Sequence, residues 1–422
     1  MKSFFGHFFN KDVTVFIERR LYMLTQEELV QKTAEEIEAM IREERAKGRA
    51  GETRSTKANQ RDLLLRDIVS WLDMTPFYEF YESMKREVIG QEGLRLVCAN
   101  IYHYLDCVSS QKIFNGNMII AAPSGSGKTA TYRALREYFI REIPNMPVVM
   151  IDTASITPAG YRGSNIDDAM EQFFKMGTKY PIGLAFLDEF DKRLQPPKRN
   201  GANDLNGEVQ NGLLSMLEGS PVYNKCGHAI LTDDIMFFGL GSFDVFRKER
   251  EEKANIRSVG FGAATTGDVS HFENITRKDM IEFGGSYELI GRFPFVVNYG
   301  KLSYEAVDKI IEKNLWEICN SYNVPIVITD EYMEVLHDSA NSSFGCRLLN
   351  SMLQNAAMVA YQDYLLEGGD IDGSASTGFF ISGEYEAETI NFVEYMKEHK
   401  DDDVLVTKPY GYDEMLETDN CA

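Results

Sequence analysis

The sequence predicts an α/β protein in which a domain built on a parallel sheet is followed by a smaller, mainly helical domain and preceded by a short helical appendage. Three observations lead there. Short apolar runs at residues 117–121, 147–151, 183–187 and 235–239 are separated by helix-length amphipathic segments, the pattern of strands buried on both faces. A turn rich in Gly and Ser, Ala122 to Thr129, follows the first run and opens a helical pattern. Beyond Leu302 the strand-like runs give way to helical periodicity over residues 304–320, 331–339 and 347–366.

In chain order, Thr25 with Glu28 forms a capping box, and Leu29, Val30, Ala34, Ile37, Met40 and Ile41 recur at helical spacing. That helix ends near Lys47-Gly48, and residues 49–59 have the composition of a flexible linker. The expected division is an appendage and linker over 1–60, an α/β domain over 61–300, a small helical domain over 301–397 and an acidic tail over 398–422.

The chain has 422 residues, 44% of them hydrophobic and 26% charged, ordinary values for a globular protein. Lys and Arg number 44 against 65 Asp and Glu, a formal charge of -21 that disfavours binding to a phosphate backbone, so no nucleic-acid partner is expected. The six cysteines stand singly, without a C-x-x-C pair or a histidine at zinc-ligand spacing, and are read as reduced thiols. The apolar start is broken by His7, Asn10, Lys11 and Asp12, unlike a signal peptide. No run reaches the ~18 apolar residues that span a bilayer, so no membrane is expected and the location expected is the cytoplasm.

The turn Ala122-Pro123-Ser124-Gly125-Ser126-Gly127-Lys128-Thr129 lies between a strand and a helix, as a phosphate-binding loop requires. Its glycines let backbone N–H groups converge on phosphates, Lys128 brings positive charge, and the Thr129 hydroxyl can hold Mg²⁺. The third run ends in Asp188-Glu189. Asp188 is placed to organise the Mg²⁺ shell and Glu189 to polarise the attacking water, which points to ATP hydrolysis with ATP and Mg²⁺ as cofactors.

With these motifs in order, the segment from about Tyr81 to Leu366 resembles the ClpX-type AAA+ unfoldases, with the HslU ATPases close behind. Val88-Ile89-Gly90-Gln91 matches the family's adenine-packing segment, so the resemblance implies base contacts for Val88 and Ile89. Gly241-Ser242-Phe243 falls at the sensor 1 position. Glu288-Leu289-Ile290-Gly291-Arg292-Phe293-Pro294 is similar to the arginine-finger box, which implies that Arg292 reaches a neighbouring subunit's nucleotide in a hexameric ring. Gly345-Cys346-Arg347 resembles sensor 2 and implies that Arg347 reads the nucleotide from the helical domain.

Gly160-Tyr161-Arg162-Gly163 is similar to the family's pore loop, with Tyr161 and Arg162 gripping protein substrates, and Val259-Gly260-Phe261 resembles the loop that docks on a ClpP-like peptidase. The chain departs from the family in several places. Its first eighty residues hold no cysteine, so the family's zinc-binding domain is not implied. Ala122, Ser242 and Arg162 replace a glycine, an alanine and an apolar residue, and the stretch 223–234 is shorter than the family's and lacks its basic tip. The expected activity is ATP-driven unfolding and translocation of protein through a ring, delivering to a ClpP-like peptidase. A stand-alone remodelling chaperone is the alternative, and a nucleic-acid motor a more distant one.

Overall fold

The computed structural model describes residues 60–156, 166–195, 205–250, 274–340, 342, 344–366, 376–399 and 404–412. Three helices lead in: α1 (Gln60–Met74), α2 (Phe77–Glu87) and α3 (Leu94–Ser109). They enclose an aromatic cluster around Trp71, whose ring meets Phe80 edge-on at 5.4 Å and whose Nε1–H donates to the Tyr138 hydroxyl at 3.2 Å. The bond satisfies the indole in a site that is otherwise apolar.

The central sheet is built from β1 (Met118–Ala121), β2 (Val148–Asp152), β3 (Gly183–Asp188), β6 (Ile235–Gly241) and β7 (Phe295–Asn298). Between them run α4 (Lys128–Glu142), the short helices α5 (Ile166–Ala169), α6 (Glu171–Lys175) and α7 (Phe190–Leu194), then α8 (Leu205–Leu217), the hairpin β4 (Val222–Tyr223) with β5 (Ala229–Ile230), α9 (Arg277–Phe283) and α10 (Tyr287–Gly291). The strand order is β2-β3-β6-β1-β7, and every pairing is parallel. All of β1 and β6 is buried, and Phe186 stacks on Phe238 at 4.4 Å, so the apolar runs lie where two-sided burial demands them. Because the strands are parallel, Ala121, Asp152, Asp188 and Gly241 end on the same edge of the sheet, the edge where open α/β sheets bind ligands.

A second hydrophobic core begins at Leu302. It contains α11 (Tyr304–Tyr322), α12 (Asp330–Ala340) and α13 (Cys346–Leu366), with Leu349, Met352, Leu353, Ala356, Ala357 and Ala360 forming the buried stripe of α13. The expectation that strands end after Leu302 is corrected. A four-stranded sheet, order β10-β9-β8-β11, joins β8 (Ile326–Thr329), β9 (Thr377–Ile381), β10 (Ala387–Asn391) and β11 (Val404–Thr407), with α14 (Phe392–Glu398) following β10. Ile326, Ile328, Phe379 and Ile381 are buried in the second core, which explains why these short segments are extended. Within the stretch expected as an acidic tail, β11 pairs antiparallel with β8 and Tyr412 is buried against Phe392.

Candidate nucleotide site

The phosphate loop leaves β1 and turns into α4 through two left-handed glycines, Gly125 at φ +78° and Gly127 at φ +96°, the latter the N-cap of α4. A side chain at either would be strained, and the bare backbone leaves the helix's first N–H groups open to an anion. Gln91 holds the loop from behind. Its Nε2–H donates to the Ser126 carbonyl at 3.1 Å, and its Oε1 accepts from the Gly300 N–H at 3.1 Å.

A cavity of about 510 Å³ opens beside this loop, lined by Gly125 to Thr129 together with Val88 and Ile89. Leu302, Ile310 and Arg347 close it from the second core. Ser124 is outside the cavity wall and backs onto the second core. A Cβ added to Gly345, itself at φ +58°, would lie 2.7 Å from the Ser124 carbonyl oxygen, and one added to Gly125 would lie 2.8 Å from the Gly345 Cα. The two cores therefore touch backbone to backbone at the phosphate loop.

The Lys128 ammonium donates to the carbonyls of Ala122 and Pro123. Burial lowers its pKa to about 8, against the raising fields of Asp191, Asp244 and Asp188, while the Arg347 charge lowers it further. Asp188 ends β3 next to the cavity rather than in its wall. Its carbonyl accepts from the Thr153 hydroxyl at 2.7 Å, and its Oδ1 accepts from the Glu189 N–H at 3.0 Å. Glu189 holds φ +54°, a conformation that costs a non-glycine residue about 1 kcal/mol or more, and its half-exposed carboxylate pairs with Lys192 at 2.5 Å.

Asp191 acts out of sight of the cavity. It is buried, its carboxylate accepts from the Phe243 N–H at 2.8 Å, and desolvation raises its pKa against that bond and the field of Lys128. It thereby anchors the Gly241-Ser242-Phe243 turn, in which Phe243 stands at φ +56°. The sequence does not single out Asp191; its spacing of three from Asp188 across a tight turn was the available signal. Asp244, which it missed, has a buried Oδ1 with no hydrogen-bond partner among the described residues.

Arg292 is elsewhere. It caps α10 at the protein surface and pairs with Glu218, so this chain's own cavity does not contain it. Tyr161, Arg162, Val259, Gly260 and Phe261 lie outside the described residues, as does the Thr25 helix.

Residues 114–296, the span of this loop and strand set, match the family model described as AAA domain (Cdc48 subfamily). That segment is an AAA-type domain, and the chain is an ATPase. Nucleotide binding follows from that domain match, and the fold is the α/β arrangement expected with a helical C-terminal region that also carries a small sheet. The ATPase is similar to the ATP-dependent Clp protease ATP-binding subunit ClpX 2 of Wolinella succinogenes, 27% identical over 310 residues that cover 66% of this chain and 75% of the relative. ClpX of Porphyromonas gingivalis is 27% identical over 318 residues, covering 67% and 76%, and ClpX of Bacteroides fragilis 28% identical over 320, covering 66% and 75%. Among the described residues no helix is long and apolar enough to cross a membrane.

Proposed function

We propose that this AAA+ ATPase is a protein unfoldase and translocase that threads polypeptides through a hexameric ring and delivers them, in the cytoplasm, to a ClpP-like peptidase. The observation that carries the reading is the cavity shared by the two cores, with Lys128 on one side and Arg347 on the other. A nucleotide there touches both, so its turnover can rotate one core against the other.

The residues fit a nucleoside triphosphate with a divalent cation. Gly125 and Gly127 make a cradle that a side chain would disturb, Lys128 has only backbone carbonyls as hydrogen-bond partners among the described residues, and the Asp244 Oδ1, orphaned among the same residues, leaves a buried acceptor in need of a partner. In this reading Val88 and Ile89 hold the base, Ser124 to Lys128 hold the phosphates, and Thr129 with Asp188 holds Mg²⁺, which when bound supplies charge neutralisation of the transferring phosphoryl group. Glu189 orients the attacking water and accepts its proton. Asp191 keeps the turn after β6 in register with Asp188, and Arg347 reports the state of the phosphates to α13.

The link from hydrolysis to substrate runs through α7. Arg193, four residues after Glu189, donates to the carbonyls of Thr153 at 2.6 Å and Ile156 at 2.8 Å, at the base of the segment that carries Tyr161. Arg292, surface-exposed and paired among the described residues with Glu218, suits a finger offered to a neighbouring subunit's nucleotide. The names of the relatives, subunits of Clp protease, support a peptidase partner, for which Val259-Gly260-Phe261 is the docking segment.

The test is unfolding of a tagged fluorescent protein by the wild type and by Tyr161→Ala, with and without a ClpP-type peptidase. The expected result is loss of unfolding in the variant with ATPase activity retained, and substrate disappearance only with peptidase. Unfolding without peptidase-dependent degradation identifies a stand-alone remodelling chaperone. Indifference of every protein substrate to Tyr161→Ala overturns the threading mechanism.

A further inference from the structure

On the far side of the sheet from the nucleotide, the last two turns of α3 bring together His103, Asp106 and Cys107. The spacing i, i+3, i+4 puts all three on one helical face. One ligand atom from each lies within 4.8 Å of the others, and the Cys107 Sγ is 3.5 Å from the His103 Nε2. Sequence reading found no histidine at zinc-ligand spacing because a four-residue interval becomes a neighbour pair only once the segment is known to be helical.

We propose that His103, Asp106 and Cys107 form a Zn²⁺ site with three protein ligands and an open fourth position. The donor set of one sulfur, one imidazole nitrogen and one carboxylate oxygen is the mixture this borderline-soft ion takes. Bond lengths of about 2.3 Å to sulfur and about 2.0 Å to nitrogen at a tetrahedral angle separate two ligands by roughly 3.5 Å, the separation already present between sulfur and ring nitrogen. Small rotations of the exposed His103 and partly exposed Asp106 side chains bring the remaining pairs to the same spacing.

The surroundings suit a cation. The site lies at the negative end of a 16-residue helix, and Asp106 already draws the Lys112 ammonium to 3.5 Å. The turn beyond it is held by the Lys112 N–H donating to the Cys107 carbonyl at 2.7 Å, with Gln111 at φ +54°. The floor is rigid too, because the Tyr104 hydroxyl on the same helix donates to the Asp234 carbonyl at 2.6 Å and accepts from the Gly183 N–H at 2.9 Å. Those partners lie at the amino ends of β3 and β6, so the three ligands ride on a helix already fixed to the sheet, at the opposite end of the strands from the phosphate loop. Binding replaces the Cys107 thiol proton, which leaves to solvent, and displaces Lys112 from Asp106.

The test is a titration of the metal-stripped full-length chain with Co²⁺, followed by its thiolate charge-transfer absorbance and by competition with Zn²⁺. The expected result is a saturating band at one equivalent, abolished by Zn²⁺ and by Cys107→Ser, unchanged in Cys226→Ser, and requiring about tenfold more metal in His103→Gln. The exposed His103 variant keeps the test informative if Cys107→Ser does not fold. Absence of the band in the wild type overturns the site, as does a band that survives Cys107→Ser or is indifferent to His103→Gln. ATP binding is a separate readout, so failure of the zinc site and failure of the nucleotide reading are distinguishable.

Discussion

The first core lines the nucleotide cavity with the phosphate loop and the start of α4, backed by strand ends, and the second lines it with α11 and the start of α13. Along the sheet edge, Asp188 and the Gly241 turn are held by buried neighbours and by the Asp191 carboxylate, so their positions vary little. Gly345 and Arg347 instead stand at the head of α13, whose 21 residues extend about 30 Å into the second core. A small shift at Arg347 becomes a larger displacement at the far end of that helix. In the proposed mechanism, chemistry rides on the rigid element and sensing on the lever.

Substitutions on the two sides separate these roles. Glu189→Gln should lower ATP turnover by about 100-fold or more while leaving nucleotide affinity near the wild-type value, measured by phosphate release and by binding of a labelled nucleotide. Loss of affinity in parallel would mean that Glu189 is structural, consistent with its strained backbone. Arg347→Ala should weaken nucleotide binding by about tenfold and remove any nucleotide-dependent change in distance between fluorophores on the two cores. If that distance still responds, the lever is worked by another residue.

Gly345→Ala asks whether the backbone contact itself matters. The substitution combines a left-handed φ with a clash against Ser124, and should cost about 1–3 kcal/mol of stability by thermal unfolding and weaken nucleotide binding severalfold. A neutral outcome would show that the two cores are free to separate at this point.

Without any substitution, a pH dependence with two signs is expected from one lysine. With Lys128 at about 8 in the folded chain against an ordinary 10.5, the folded state binds fewer protons than the unfolded state between those values. The burial penalty is present in full below about pH 8 and is relieved as pH climbs through that window, so this group makes the nucleotide-free chain more stable with rising pH. Binding runs the other way, because phosphate favours charged Lys128. Affinity should hold up to about pH 7 and fall by up to about tenfold by about pH 9, with proton uptake by calorimetry in buffers of different ionisation enthalpy. A flat affinity profile would place the phosphates away from this side chain.

Much of this was legible in the residues. The four buried runs gave the strands β1, β2, β3 and β6 because two-sided burial leaves an uninterrupted apolar signature. β7 was not read because its four residues follow directly on the Arg292 box and only Val297 of them is fully buried. The second sheet was hidden for a related reason: β10 is half-buried with no clean alternation, and β11 sits in a stretch whose acidic composition suggests a tail. Around the cavity, the loop, Lys128 and Arg347 are residues that motifs name and that the fold brings together. Asp191 and Asp244 escaped because what distinguishes them is burial and partnership, which no spacing encodes.

The meeting of Gly125 and Gly345 has a further consequence for how this protein can change over generations. Every single-base substitution of a glycine codon that alters the residue introduces a Cβ, and at both positions that atom collides with main chain rather than with a side chain that could turn aside. No neighbouring allele offers a gentler version of the contact, so the junction of the two cores cannot drift by small steps. Variation in how tightly they couple has to arise at residues around the glycines, such as Ser124 or Phe344, while the pair itself stays as it is.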